Sequence, residues 1–137
     1  MSALIAPDAL RQHLELIGST LEKSRETFLF HRGENVVGVF LIVEGTIRLG
    51  LERDPRGFPS RLLGAGSLVG LPATLSDSTY SLTAEVLEDA RLVFVPAPRL
   101  RQLLRDQPQL CFDVMTILTE ELTQTRAALE DLHKPTR

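Results

Sequence analysis

Few residues in this chain have the types and spacing that enzyme chemistry requires. The three histidines, His13, His31 and His133, are scattered, and no pair has the i, i+4 spacing of metal ligands on a helix. Cys111 lies between apolar residues of a predicted helix, which favours a small buried side chain over a nucleophile. We therefore expect no catalytic residues, no metal and no other cofactor, and we expect that the protein is not an enzyme.

The stretch from 69 to 86, VGLPATLSDSTYSLTAEV, is composed like a loop that surrounds a ligand. Glycine and proline lie near its start, a run of Thr, Ser and Asp follows, and a predicted strand ends it. It contains no basic residue, and its acids are Asp77 and Glu85. A ligand held by this loop would meet hydroxyl groups and apolar side chains, but no cation.

Length and composition indicate a single globular domain. The chain has 137 residues, of which 43% are hydrophobic and 24% charged, and this is enough to bury a core. The longest apolar run, 36–51, is broken by glycine and charge, so we expect no membrane span. The N-terminus lacks the basic start and long apolar stretch of a signal peptide. With one cysteine and no internal disulfide, we expect a cytoplasmic protein.

The charge balance argues against a nucleic-acid-binding surface. The formal net charge is −3, whereas a protein that binds phosphates of DNA normally carries a basic face. Several arginines fall between 91 and 105, but acidic residues are spread among the arginines of the chain. We expect that this chain does not contact DNA by itself.

Residues 27 to 96 have the pattern of a β-structure. β-Branched and aromatic residues are dense, and glycines recur roughly every twelve residues from Gly33 to Gly66, as at the corners of a sandwich or barrel. Glu44-Gly45 and Glu88-Asp89 are predicted to separate two pairs of strands. The predicted elements are a helix at 7–22 and, among the strands, the pairs 36–43 and 46–52, and 81–87 and 91–95.

The last third is predicted to be helical, with a long helix from Pro108 to about His133 that would extend ~39 Å. Its apolar positions follow the 4, 3 spacing of a heptad seam, and Glu120-Glu121 are expected on the solvated flank. The seam residues are Cys111, Met115, Leu118, Leu122, Thr125, Leu129 and Leu132. A shorter second stripe consists of Leu110, Val114 and Ile117. We expect the second stripe to pack on the barrel and the seam to form a homodimer; the alternative is a helix that only covers its own barrel.

Four segments, in order, resemble the sensor domain of the Crp/Fnr superfamily of bacterial transcription regulators. They are HRGE at 31–34, VFLIVEGTIRL at 39–49, GAGSLVG at 64–70 and EDARLVFVP at 88–96. The resemblance extends from about residue 8 to 133. It implies a mainly β fold with α-helices: a double-stranded β-helix (jelly roll) of about eight antiparallel strands, a short N-terminal helix and a long C-terminal dimerisation helix.

The resemblance also places the family's phosphate cassette on the stretch 69–86. The cassette glycine corresponds to Gly70, and Ser81 keeps its Ser/Thr position. Leu71, however, stands where nucleotide-binding members have the glutamate that accepts from the ribose, and Tyr80 stands where they have the arginine that binds the cyclic phosphate. Losing both contacts would lower affinity by about three or four orders of magnitude. We therefore expect that cyclic AMP is not bound in the usual way.

The resemblance implies a pocket here with an apolar or neutral wall. Such a pocket would bind a small neutral or amphipathic effector, or it would be filled by the protein's own side chains. The candidate lining residues are Val69, Gly70, Leu71, Pro72, Ala73, Tyr80, Ser81 and Leu82, with Leu62 and Leu63 beside them. Thr125 lies about where the family has a polar residue that reaches the adenine. Alternatively, Thr125 is a polar seam residue that sets the register of the dimer.

We accordingly expect a β-barrel with its N-terminal helix at 1–107, a dimerisation helix at 108–133 and a tail or hinge at 134–137. Regulators of this family carry a winged helix-turn-helix after the dimer helix, so any DNA contact would belong to residues outside this chain. The expected function is effector sensing, with pocket occupancy shifting the packing of helix 108–133. The alternatives are a stand-alone protein-interaction module, a cyclic-nucleotide binder with an atypical site, and a cupin-like enzyme, which would need a histidine cluster.

Overall fold

A computed structural model of the chain describes residues 5–51 and 60–133. The predicted turn at Asp54-Pro55 and the tail 134–137 lie outside these residues. The elements in chain order are helix α1 Asp8–Ile17, strands β1 Ser19–Lys23, β2 Phe28–Phe30, β3 Gly38–Gly50, β4 Arg61–Leu63 and β5 Leu68–Val69, helix α2 Leu71–Ser76, strand β6 Thr83–Pro96, and helices α3 Ala97–Asp106 and α4 Leu110–His133.

The two long strands β3 and β6 form the centre of the sheet. They pair with each other along most of their length, and the main strand order is β1-β6-β3-β4, with β2 paired to β6 and β5 paired to β3. All of these pairs are antiparallel. The prediction of a mainly β, antiparallel domain with helices at both ends is therefore confirmed.

The described strands are fewer and longer than the sequence suggests, because two predicted turns do not turn the chain. Glu44-Gly45 and Glu88-Asp89 face each other within the β3–β6 pair, where the register shifts between Ile42 and Ile47. Gly45 has a φ of +103°, and a Cβ atom there would lie 2.7 Å from the Cα atom of Ala90. The glycine therefore permits an irregularity at which both strands bend while they continue to pair.

Helix α1 is shorter than predicted, and the region 19–23 is strand β1 rather than the end of a helix. The helix buries Leu10 and Leu14 and ends at Gly18, whose extended backbone leads directly into the sheet. A Cβ atom at position 18 would lie 2.3 Å from Cγ1 of Val93. The chain can therefore change from helix to strand this close to β6 only through a glycine.

Two apolar cores lie on opposite faces of β3. Phe40 and Ile42 belong to the core inside the barrel, whereas Val39 and Leu41 belong to the core between the sheet and the helices α1, α3 and α4. Because successive side chains of a strand point to opposite faces, a strand covered on both faces reads as a continuous apolar run. We call the first cluster the barrel core and the second the helix-side core.

One face of helix α4 packs against the rest of the domain, and another face is exposed. The second stripe, Leu110, Val114 and Ile117, is buried in the helix-side core. Of the seam residues, Leu118 packs partly against that core, while Cys111, Met115 and Leu122 are exposed; the side chains of Thr125, Leu129 and Leu132 lie outside the described part of the chain. Among the described residues, no helix combines the length and apolar character that crossing a bilayer would require.

Candidate functional site

A cleft of about 330 Å³ lies between the barrel and helix α4. Strands β2, β3 and β4, helix α2 and the loop before β6 supply most of its wall, and α4 supplies the rest. The lining residues are Phe30, Leu49, Arg61, Gly70, Pro72, Ala73, Tyr80, Ser81, Leu82, Leu118, Glu121 and Leu122. Both the volume and the largely apolar wall suit a small-molecule ligand.

The structure brings six of the candidate pocket residues into this lining: Gly70, Pro72, Ala73, Tyr80, Ser81 and Leu82. Val69 and Leu63 lie instead within the barrel core, and Leu62 is an exposed residue of β4. Leu71 is fully buried in the helix-side core. The side chain of Thr125 lies outside the described residues.

The direction of Leu71 follows from the backbone at the start of α2. Gly70 is in the left-handed region with a φ of 89°, and α2 begins directly after it. Leu71 then faces the helix-side core, and Pro72 and Ala73 reach the cleft. The far end of α2 is attached to α3 by an ion pair between Asp77 and Arg101, with an O–N distance of 3.3 Å. Because its side chain is buried in the helix-side core, Leu71 fixes the start of α2 and does not line the cleft.

Both the backbone and the side chain of Tyr80 make contacts that fix its position. Its amide donates to the carbonyl of Glu34 over 3.0 Å, and its carbonyl accepts from the amide of Gly33 over 2.8 Å. The residue is 2% exposed, and its ring stacks on Phe30, with ring centroids 3.6 Å apart and an interplanar angle of 8°. The loop before β6 is thus attached to the segment between β2 and β3.

The hydroxyl group of Tyr80 is fully used by the backbone at the start of β3. It donates to the carbonyl oxygen of Gly38 over 2.8 Å. It accepts from the amides of Val37 and Gly38 over 3.1 and 3.3 Å. A phenol oxygen has one donor and two acceptor positions, so no hydrogen-bonding capacity remains for a ligand. Tyr80 therefore contributes only its ring to the wall of the cleft.

Among the described lining residues, the charged ones are Arg61 and Glu121, and the sequence analysis missed both. Arg61 comes from β4, and its Nη1 donates to Oε1 of Gln124 on α4 over 3.4 Å. Glu121 was predicted on a solvated flank, but it is half-buried and lines the cleft, whereas Glu120 is exposed. The sequence does contain a pattern that indicates a buried position for Glu121, because this residue continues the 4, 3, 4 spacing of the buried stripe Leu110, Val114 and Ile117.

The environment of Glu121 disfavours its charged form. Burial raises the pKa of this carboxyl group above its ordinary value, and the positive charge of Arg61 offsets part of the effect. The cleft therefore combines apolar walls with a cation, a carboxyl group that resists ionisation and the hydroxyl of Ser81. Within the described residues, no group of three or more His, Cys, Asp or Glu side chains is placed to hold a metal ion.

Comparison with known proteins gives the same architecture. Residues 21–107 match the family described as "Cyclic nucleotide-binding domain". The chain is 29% identical over 133 residues to the "Anaerobic regulatory protein" of Bacillus subtilis (strain 168), an alignment that covers 96% of this chain and 56% of that protein. The chain thus spans little more than half the length of this relative.

Two solved structures share the fold at lower identity. The catabolite activator protein of Thermus thermophilus superposes with a TM-score of 0.74 at 23% identity, covering 93% of this chain and 60% of that one. Oxidized CprK in complex with o-chlorophenolacetic acid gives a TM-score of 0.70 at 18% identity, covering 96% of this chain and 55% of that one. These superpositions confirm the jelly-roll fold that the sequence predicts.

Replacement of Tyr80 by Phe should lower the free energy of unfolding by about 1–3 kcal/mol, because it keeps the stacked ring but leaves buried backbone groups without a partner. Chemical denaturation of both proteins measures the difference. Ser76→Ala is the matched control, since it also removes a hydroxyl that donates to a backbone carbonyl, at 2.9 Å to Pro72, but at an exposed position. Its effect should stay within about 0.5 kcal/mol, and an equal effect of the two substitutions would contradict the role of Tyr80.

Proposed function

Because this chain belongs to the cyclic nucleotide-binding domain family, we propose that it is the effector-sensing regulatory domain of a Crp/Fnr-type transcription regulator. The observation that carries this proposal is the cleft between the barrel and α4, a helix that also presents an open apolar face. The regulatory names of the Bacillus and Thermus proteins support a regulatory rather than an enzymatic role. Such a role implies a cytoplasmic location, and contact with DNA through residues outside this chain.

The proposed effector is not a cyclic nucleotide bound in the usual way. The hydroxyl of Tyr80 has no bond left for a phosphate, and Leu71 is buried away from the cleft. The loop around α2 contributes no cation to the lining. No other positive charge of this loop therefore replaces the arginine that nucleotide-binding members have at the position of Tyr80. Each lost charge-assisted hydrogen bond lowers binding by about 1.5–3 kcal/mol. The oxidized CprK complex offers a precedent, in a protein of the same fold, for a small aromatic acid as the bound molecule.

Helix α4 is the proposed output of the sensor. Leu118, Glu121 and Leu122 line the cleft, whereas Leu110, Val114 and Ile117 fix the first turns of the same helix to the helix-side core. A ligand in the cleft therefore contacts α4 beyond its fixed end. If it binds one position of that segment better than another, it shifts the population of α4 orientations and thereby the orientation of whatever follows.

The open face of α4 is the proposed homodimer contact. Phe112, Met115 and Leu122 are 70%, 51% and 59% exposed, which is unusual for large apolar side chains of one helix face. The heptad spacing continues to Leu129 and Leu132. Pairing with the same helix of a second copy would cover this face, and Thr125 would then lie on the seam, either to set register or to reach the ligand.

A screen of small metabolites by thermal denaturation tests effector sensing. At least one compound should raise the melting temperature of the protein, because ligand bound to the folded state stabilises it. Cyclic AMP and cyclic GMP should not, and calorimetry should show no micromolar binding of either nucleotide.

Two tryptophan substitutions locate any binding. Ser81→Trp would fill the cleft from an exposed position, whereas Ser78→Trp changes another exposed serine of the same loop, outside the cleft lining. The stabilising compound should lose its effect only in Ser81→Trp. Micromolar binding of cyclic AMP that is lost in Ser81→Trp would contradict the interpretation of Leu71 and Tyr80, and a screen without any cleft-dependent compound would contradict effector sensing.

Analytical ultracentrifugation tests the dimer. The protein should sediment as a dimer at tens of micromolar, and Met115→Glu should shift it to a monomer, because it introduces a like charge from each copy into the seam. Ala127→Glu, at an exposed position of α4 away from the seam, is the control and should leave the dimer intact. A wild-type monomer at high micromolar concentration would contradict the proposal.

A further inference from the structure

We infer that the cleft takes a small amphipathic carboxylic acid, with the ligand carboxylate on Arg61, its apolar body in the cleft and Glu121 accepting a proton as the ligand binds. This inference rests on the proposed function, since it names the class of effector and a regulation of the same site. It is carried by where the two charged side chains lie, one on β4 and one on α4, on opposite elements of one largely apolar cleft.

Arg61 is the cation of the described lining, and its present hydrogen bond is weak. Its Nη1 donates to the neutral amide oxygen of Gln124 over 3.4 Å, whereas charge-assisted N–H···O bonds are typically about 2.7–2.9 Å long. A guanidinium group has five N–H donors in a planar fork that matches the two oxygens of a carboxylate. A ligand carboxylate would therefore be a better partner than the amide.

The rest of the lining fits the apolar part of such a ligand. Phe30, Leu49, Ala73, Leu82 and Leu118 contribute aromatic or aliphatic surface, and the hydroxyl of Tyr80 is turned away into its bonds with Gly38. A volume of about 330 Å³ leaves room for one ring or a short branched chain. A polar ligand body would lose its hydrogen bonds to water without replacement on these walls.

Glu121 distinguishes a carboxylate from an amine as the ligand. An ammonium group would be repelled by Arg61, and it would need Glu121 charged in surroundings that disfavour the charge. A ligand carboxylate instead pairs with Arg61 and, as a second negative charge, raises the pKa of Glu121 further. The protonated carboxyl group then no longer repels the ligand and has an O–H that can donate to it.

Binding of the acid is therefore linked to uptake of a proton. The charged or titratable side chains of the described lining are Arg61, Tyr80 and Glu121, and the neighbouring Glu120 faces outward with Phe112 and Met115. Between the pKa of Glu121 in the free protein and its higher pKa in the complex, the bound state holds up to one more proton than the free state. Affinity should fall as pH rises through that range, by at most tenfold per pH unit.

The test uses phenylacetate, its neutral analogue phenylacetamide and its cationic analogue phenethylamine, with affinities measured by NMR titration on the protein. Phenylacetate should bind at least tenfold more tightly than phenylacetamide, a ratio expected for a hydrogen-bonded charge pair. Calorimetry in two buffers of different ionisation enthalpy should show uptake of a proton. Both readouts use the unaltered chain, so they stand even if a variant fails to fold.

Two conservative variants assign the effect to residues. Arg61→Gln should abolish the preference for phenylacetate over phenylacetamide. Glu121→Gln, which resembles the protonated carboxyl group, should keep phenylacetate binding and remove both proton uptake and pH dependence. Phenylacetate binding that is lost in Ser81→Trp and kept in Ser78→Trp places the probe in the cleft.

The inference is overturned if phenylacetate does not bind at millimolar concentration, if the amide or the amine binds as tightly, or if Glu121→Gln keeps the pH dependence. Effector sensing survives each of these results when any other compound of the metabolite screen shows cleft-dependent stabilisation. Effector sensing is contradicted by a separate result, namely that no compound, whatever its charge, shows cleft-dependent stabilisation.

Discussion

Three hydrogen bonds at the hydroxyl of Tyr80 connect the loop before β6 to Val37 and to Gly38, the first residue of β3, and the form of the cleft depends on them. Because the ring also stacks on Phe30, this one side chain joins β2, β3 and the segment that follows α2. A buried tyrosine with a satisfied hydroxyl stabilises such a junction, whereas a guanidinium at the same place would need a counter-ion. Tyr80 is therefore part of the scaffold that shapes the cleft.

The charged side chains of the described cleft lining come from β4 and α4, and none comes from the α2 loop. With Tyr80 and Leu71 committed to the two cores, the charged lining residues are Arg61 and Glu121, which approach from β4 and α4. This places the charge next to the helix that carries the open apolar face. Under the proposed function, a ligand bound between these two residues would contact α4 directly, without transmission through the barrel.

The sequence predicted features that depend on local pattern and could not predict those that depend on contacts between distant segments. The dense apolar runs of β3 and β6 and the two stripes of α4 are periodic, so strand, helix and buried face followed from them. Glu44-Gly45 has the composition of a turn, and only its position opposite Ala90 makes it a bend within a paired strand. Likewise, Leu71 faces away from the cleft because Gly70 is left-handed, and Arg61 and Glu121 lie too far apart in the chain for spacing to relate them.

The burial of Tyr80, with its hydroxyl bonded to the backbone of Val37 and Gly38, can be measured directly because the chain has one tyrosine and no tryptophan. Intrinsic fluorescence excited where phenylalanine does not absorb therefore reports on Tyr80 alone, and quenching by acrylamide reports on its accessibility. The burial of Tyr80 predicts a quenching constant well below that of the denatured protein, unchanged by millimolar cyclic AMP. Quenching as strong as in the denatured protein, or a change of quenching when cyclic AMP is added, would contradict it.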